Sequence, residues 1–187
     1  MRMKNYIWAT VAIGLILSVG SGKSMAQSTE LVGQQVDEKL LVNVPKDFRK
    51  LTPEETKKRY LSENLPLAFF SDARNEVDLV VTKAATFFDE KDIEILKDFY
   101  KANIQSLYNK VVFSKEGIET VDKKKAVVFE FTAELTEKGK PPLRKYSYVT
   151  YALRGKRVMV FAWTCDEKLK SKWQPTAMKV MKKMDFE

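Results

Sequence analysis

Apolar and polar residues alternate with a period of two through most of the second half of the chain. They recur every three to four positions in shorter stretches before and after it. Val127, Phe129, Phe131, Ala133 and Leu135 fall on one side of an alternation whose other side holds Glu130, Thr132 and Glu134. That is the pattern of a strand with unequal faces. Equivalent runs at 111–121, 144–154 and 156–165 predict three more long strands, with turns at Asp122-Lys123-Lys124 and around Gly155 and a longer loop at 136–142. Earlier in the chain, 40–44 is an apolar run ended by Pro45, while 67–70 and 76–84 read as two strands joined by a polar turn.

Helices are marked by their starts. Thr52-Pro53-Glu54-Glu55 combines an N-cap threonine, a proline at the first helical position and a glutamate three residues after the cap. The helix it opens should run to about Leu61 and stop before Asn64 and Pro66. Asp89 is the expected N-cap of the longest helix, 90–108, whose Ile93, Leu96, Phe99, Tyr100, Asn103 and Leu107 form an amphipathic stripe. Asp166 should cap a final helix, which Pro175 is expected to break or kink. Met178, Met181 and Met184 then resume a stripe, and Phe186 is expected to tuck the chain end down. Short turns make neighbouring strands antiparallel. The predicted fold is a single α+β domain, an antiparallel sheet of about six or seven strands covered by helices.

The first 26 residues change the picture of where this domain works. Arg2 and Lys4 precede an apolar run from Ile7 to Val19, followed by small residues and Ser24-Met25-Ala26. This is the layout of a secretory signal, with cleavage expected after Ala26. The run is shorter than the roughly 20 apolar residues of a bilayer span, and no cysteine follows it to take a lipid, so no stable anchor is expected after cleavage. The division read from the chain is a signal peptide at 1–26, a flexible leader or short edge segment at 27–39, and the α+β domain at 40–187. The expected location is periplasmic or secreted.

Composition then narrows the chemistry. Removing the leader takes away Arg2, Lys4 and Lys23 and no acid, so the net charge falls from +8 to +5. In an exported chain that mild excess fits a solvated surface with some attraction to acidic partners, and no nucleic-acid role. The chain has no histidine, which excludes Ser-His-Asp and Cys-His catalysis and imidazole metal ligands. Cys165 is its single cysteine, so no intrachain disulfide can form. Its glycines outside the leader are isolated, which excludes a P-loop or a dinucleotide fingerprint. No enzyme and no cofactor are expected.

Three features resemble the PsbP-like fold, which includes the bacterial PsbP-related and DcrB-like proteins. They are Val44-Pro45 with Phe48, the hairpin from Phe69 to Val81 ahead of a long helix, and the strand 158–165 running into Asp166-Glu167-Lys168-Leu169 and a terminal helix. The likeness spans roughly 40–186. It implies a non-enzymatic role, binding or assisting another protein or complex of the cell envelope.

The residues that invite a functional reading are few. Cys165 shares a strand face with Met159, Phe161 and Trp163, as a buried small hydrophobe would. Asp72, Asn75, Glu76 and Asp78 resemble a calcium loop in composition but lack its glycine and terminal glutamate, and a polar turn accounts for them. Glu130 and Glu134 lie about 13 Å apart along one strand face, too far for a carboxylate dyad, and are expected on a solvated face. Arg144, Lys145, Tyr146, Tyr148 and Trp173 mix aromatic and basic character as interfaces do and are the candidate partner-binding residues. The function so read is an exported, non-catalytic binding or accessory protein of the envelope acting on a protein partner. The alternative is a binder of a small apolar or anionic ligand between sheet and helices.

Overall fold

Two-residue turns organise the sheet. In the computed structural model, which describes residues 30–60, 64–136 and 141–186, Asp122 and Lys123 both take positive φ (47° and 62°) between β6 (Lys110–Val121) and β7 (Lys124–Leu135). Positive φ at both central residues is the type I′ geometry, whose twist suits a right-twisted hairpin. Gly155, at φ 60°, turns β8 (Leu143–Arg154) into β9 (Arg157–Asp166), where a side chain would be unfavourable. With β3 (Arg49–Lys50), β4 (Ala68–Ser71) and β5 (Val77–Phe87), these strands form an antiparallel seven-stranded sheet ordered β3-β4-β5-β9-β8-β7-β6.

A smaller sheet consists of β1 (Leu31–Asp37), β2 (Leu40–Pro45) and β10 (Asp185–Phe186), ordered β1-β2-β10. The segment 27–39, expected as a leader or short edge, therefore contains an edge strand over its described part. It is fastened at its turn, where Arg154 donates to both oxygens of Asp37 at 3.0 Å. The Arg154 guanidinium also holds the Asp37 carboxyl below the usual carboxylate range. The expected signal peptide and its cleavage after Ala26 lie outside the described residues.

Both faces of the large sheet are covered. On one face α2 (Ile93–Leu107) buries Ile93, Leu96, Tyr100 and Ile104 against Phe129, Val149, Tyr151 and Val160. Each such aliphatic side chain contributes roughly 2 kcal/mol through apolar area removed from water. The same face carries α1 (Pro53–Arg59), with Tyr60 just beyond it packed among Leu51, Phe69 and Val80. Thr52 and Glu55 form the expected capping box. A hydrogen bond from Arg49 holds the Glu55 carboxyl down at about 2. On the opposite face lie α3 (Lys170–Lys182) and the small sheet, whose Leu40, Val42 and Val44 join Phe70, Leu79, Phe161 and Trp163 in the larger core.

Three local expectations are corrected. Asp89 makes no capping bond to α2; it pairs with Lys156 at 2.8 Å, and a 3-10 turn, Glu90–Asp92, leads into the helix. Pro175 does not break α3, which runs through it as one α-helix. It stands in the helix's second turn, where the carbonyl left without its N–H belongs to Ser171, an exposed residue. Glu130 is not on a solvated face. It is 4 % exposed, because the face that bears it lies beneath α3.

Candidate partner interface

The buried side of α3 consists of Trp173, Thr176, Ala177, Val180 and Met181, spaced three and four residues apart. Met184 beyond the helix is buried as well, while Met178 is half-buried against the core's margin. Trp173 packs against Phe48 (ring centroids 5.5 Å apart, edge to face) and Trp163 (5.8 Å), and Phe48 stacks on Trp163 at 5.3 Å. Phe48 is the third member of this aromatic group because the chain turns back just after Pro45, where the Phe48 N–H donates to the Pro45 carbonyl. Among the described residues, the indole N–H groups of Trp163 and Trp173 have no acceptor.

Tyr146 and Tyr148 lie beside this group on β8, both essentially fully buried. Tyr146 Oη donates to Glu130 Oε1 at 3.2 Å, and Gln174 Nε2 donates to the same oxygen at 2.5 Å. Burial, with the Glu130 carboxylate second, raises the Tyr146 phenol well above its ordinary range. Of the five candidate residues, then, the three aromatic ones are core. Cations sit over their rings: Lys172 over Trp173 at 5.1 Å, Lys170 over Tyr146 at 5.4 Å and Lys115 over Tyr148 at 5.8 Å. Such contacts hold extended lysine side chains against the surface.

Arg144 is exposed and pairs with Glu167 at 3.0 Å, just before α3 begins. Lys145 is half-buried and stands opposite Asp166 on β9. The structure thus gathers Arg144, Lys170 and Lys172 at the N-terminal end of α3 and leaves the aromatics beneath them as support. Lys168, Lys170, Lys172, Lys179, Lys182 and Lys183 follow one another with no acid between Lys168 and Met184. All but the half-buried Lys170 are exposed. The sequence reading missed this row as a unit, although an acid-free run of lysines on one helix was its visible signal. It set Glu130 on a solvated face and gave no role to Gln174.

Elsewhere the polar residues are engaged with each other. Arg59 donates to both oxygens of Asp78 at 2.9 and 2.8 Å, and Ser71 Oγ adds a third bond at 2.7 Å. Burial pushes the Asp78 carboxyl up, against the pull of Arg59. Asp72 Oδ1 accepts from the backbone of Glu76 and Val77, and Asn75 takes φ 57° and accepts from Arg59. This is an Asx-type turn in which Asp72 Oδ1, Asn75 Oδ1 and both oxygens of Asp78 accept hydrogen bonds from the protein itself. Cys165 is 1 % exposed, and burial pushes its thiol up to about 12. An open depression rimmed by Asp37, Glu38, Lys39, Arg154 and Gly155 contains the Arg154–Asp37 pair, so its guanidinium is already occupied.

No protein-family model matches the chain, and no curated protein matches it. Solved structures do. The PsbP of the cyanobacterium Synechocystis (CyanoP) superposes with a TM-score of 0.55 at 11% identity, over 91% of this chain and 99% of that one. The Ran-binding protein Mog1p of Saccharomyces cerevisiae gives a TM-score of 0.55 at 12% identity, over 84% and 96%. LpqN of Mycobacterium tuberculosis, a protein involved in cell envelope biogenesis, gives 0.53 at 12% identity, over 83% and 90%. At such identities the likeness concerns the fold.

Proposed function

We propose, from the PsbP-like fold as premise, that this chain is an exported, non-catalytic accessory protein of the cell envelope that binds an acidic protein partner through the outer face of α3. The observation that carries the reading is the acid-free lysine row from Lys168 to Lys183, whose Lys170 and Lys172 lie over the buried rings of Tyr146 and Trp173. A row of one charge sign steers and orients an oppositely charged partner. Export is supported by the signal-like segment ending at Ala26. An envelope setting agrees with what is named for LpqN, and a protein partner with what is named for Mog1p. The reading as a small-ligand binder has less support, since Phe48, Trp163 and Trp173 fill the space between sheet and α3, and Tyr100 stacks on Tyr151 at 3.9 Å on the other face.

The test is cross-linked capture from envelope extracts of the host, comparing wild type with a Lys168→Glu, Lys172→Glu, Lys182→Glu variant of unchanged melting temperature. The expected result is an acidic protein recovered by wild type and lost with the variant. Equal recovery by both would overturn the assignment to α3. N-terminal sequencing of the mature protein should begin at Gln27; a start at Met1 would remove the export premise.

A further inference from the structure

The large sheet ends on a long strand with nothing beyond it among the described residues. β6 spans twelve residues, Lys110–Val121, and pairs with β7 on one side only. An edge of that length presents a row of backbone N–H and C=O groups able to pair with another strand. Its face pattern is unusual. Phe113 and Ile118, five residues apart, both pack in the core under α2, although strict alternation would set them on opposite faces. The cause is a bulge: the register with β7 slips between Phe113 and Lys115, and Ser114 is the additional residue.

The bulge makes the face pattern of β6 a palindrome. Reading outward from the Ser114–Lys115 junction, Phe113 and Glu116 point to the α2 side, and Val112 and Gly117 to the other. Val111 and Ile118 follow on the α2 side, then Lys110 and Glu119 on the other. Two antiparallel copies of this strand, related by a two-fold axis at that junction, set each of these residues opposite one of the same facing. A shift of one residue in either direction sets unlike faces opposite each other.

The side chains fit that register. Lys110 of one copy lies opposite Glu119 of the second, and symmetry repeats the pair. Glu119, which already meets Lys115 of its own chain, thereby lies between two cations. Val112 is 52 % exposed, one of the most exposed large apolar residues described, and it falls opposite Gly117. A Cβ built on Gly117 meets nothing within 4 Å, so there is room above that glycine for a branched side chain from across the seam. Directly opposed residues approach to about 5 Å between Cβ positions, close enough for valine to cover the glycine backbone.

We infer that this chain self-associates as a two-fold dimer through antiparallel β6–β6 pairing, Lys110 opposite Glu119 and Val112 opposite Gly117, which joins the two seven-stranded sheets into one. The partner is a second copy of this chain because the complementarity is self-complementarity: one strand supplies both members of each pair. The bulge, which restores like facing across the seam, and the Lys110–Glu119 pair are the features that make this register fit.

Sedimentation velocity on the full mature chain over a hundredfold concentration range tests it. Wild type should show a concentration-dependent dimer. Lys110→Glu, which sets a second carboxylate opposite Glu119 at both ends of the seam, should weaken it at least tenfold, as should Val112→Lys. The double swap Lys110→Glu with Glu119→Lys should restore it. Lys110 and Val112 are exposed, and Glu119 is half-buried beside Lys115 of its own chain. Circular dichroism melting should therefore confirm unchanged folding of each variant, with Glu119→Lys alone as the control for the lost Lys115 contact. A wild type that stays monomeric throughout the range overturns the proposal. So does a dimer that Lys110→Glu leaves intact, or a swap that fails to restore what the single change removed.

Discussion

Gln174 of α3 and Glu130 of β7 meet beneath the helix, the amide Nε2 donating to Oε1, and Tyr146 Oη donates to the same oxygen. Glu130, a residue 4 % exposed, thus has two neutral donors and ties the final helix to the middle of the sheet. Buried polar groups are tolerated when bonded and costly when a partner is removed. Glu130→Gln, which keeps an oxygen for both donors, should fold with stability close to wild type. Glu130→Leu, which orphans the Tyr146 hydroxyl and the Gln174 amide, should lose about 1–3 kcal/mol. Urea unfolding of the two variants decides between them, and equal midpoints would mean that the carboxyl does not anchor α3.

The Arg59–Asp78 pair should behave differently because both partners are charged and largely buried, with side chains 12 % and 16 % exposed. Removing one charge leaves the other uncompensated. Arg59→Met should cost on the order of 3 kcal/mol at neutral pH, and Arg59→Met with Asp78→Asn should recover much of it. The pH dependence follows from burial, which already raises the Asp78 carboxyl. Without Arg59 it rises further. A carboxyl raised in the folded state contributes most below its unfolded value of 3.8, and that contribution is lost as pH climbs through the folded value. The penalty of Arg59→Met should therefore shrink as pH is lowered from 7 towards 4. A penalty that is flat, or grows in acid, would contradict the assignment.

How much of this was legible in the sequence divides by range. The long strands, the capping box at Thr52 and Glu55 and the packing of Cys165 each rest on neighbours within a few residues, and they appear where the pattern sets them. Glu130 does not, because its alternation with Phe129 and Phe131 is that of a sheet with one wet face. Whether that face is wet depends on α3, which returns over it from 44 residues along the chain. Trp173 likewise read as a candidate for the surface among Lys172 and Gln174. Only the arrival of Phe48, from the turn after β2, and of Trp163, from β9, makes it core. The pairing of Asp89 with Lys156 rather than with the start of α2 has the same origin.

Cys165 illustrates the local kind. Its thiol is pushed up to about 12, chiefly by burial, and only the thiolate reacts readily. At pH 8 the native protein should label with a disulfide reagent no faster than it opens, and in denaturing urea within seconds. Stopped-flow labelling read against the unfolding rate is the measurement. Rapid stoichiometric labelling of folded protein would show a thiol in contact with solvent.

Trp173 permits a test that separates packing from partner binding. Its ring is 2 % exposed and meets Phe48 and Trp163, so Trp173→Ala should cost about 3–5 kcal/mol. Trp173→Phe should cost far less, since it keeps an aromatic ring and removes an indole N–H that has no acceptor among the described residues. A double-mutant cycle with Phe48→Ala should give a coupling of about 0.5–1.5 kcal/mol, the range for interacting aromatic pairs. If the lysines of α3 carry recognition, Trp173→Phe should also capture the partner as wild type does, because Lys168, Lys172 and Lys182 are untouched. Loss of capture in a variant that folds normally would place the indole itself in the interface.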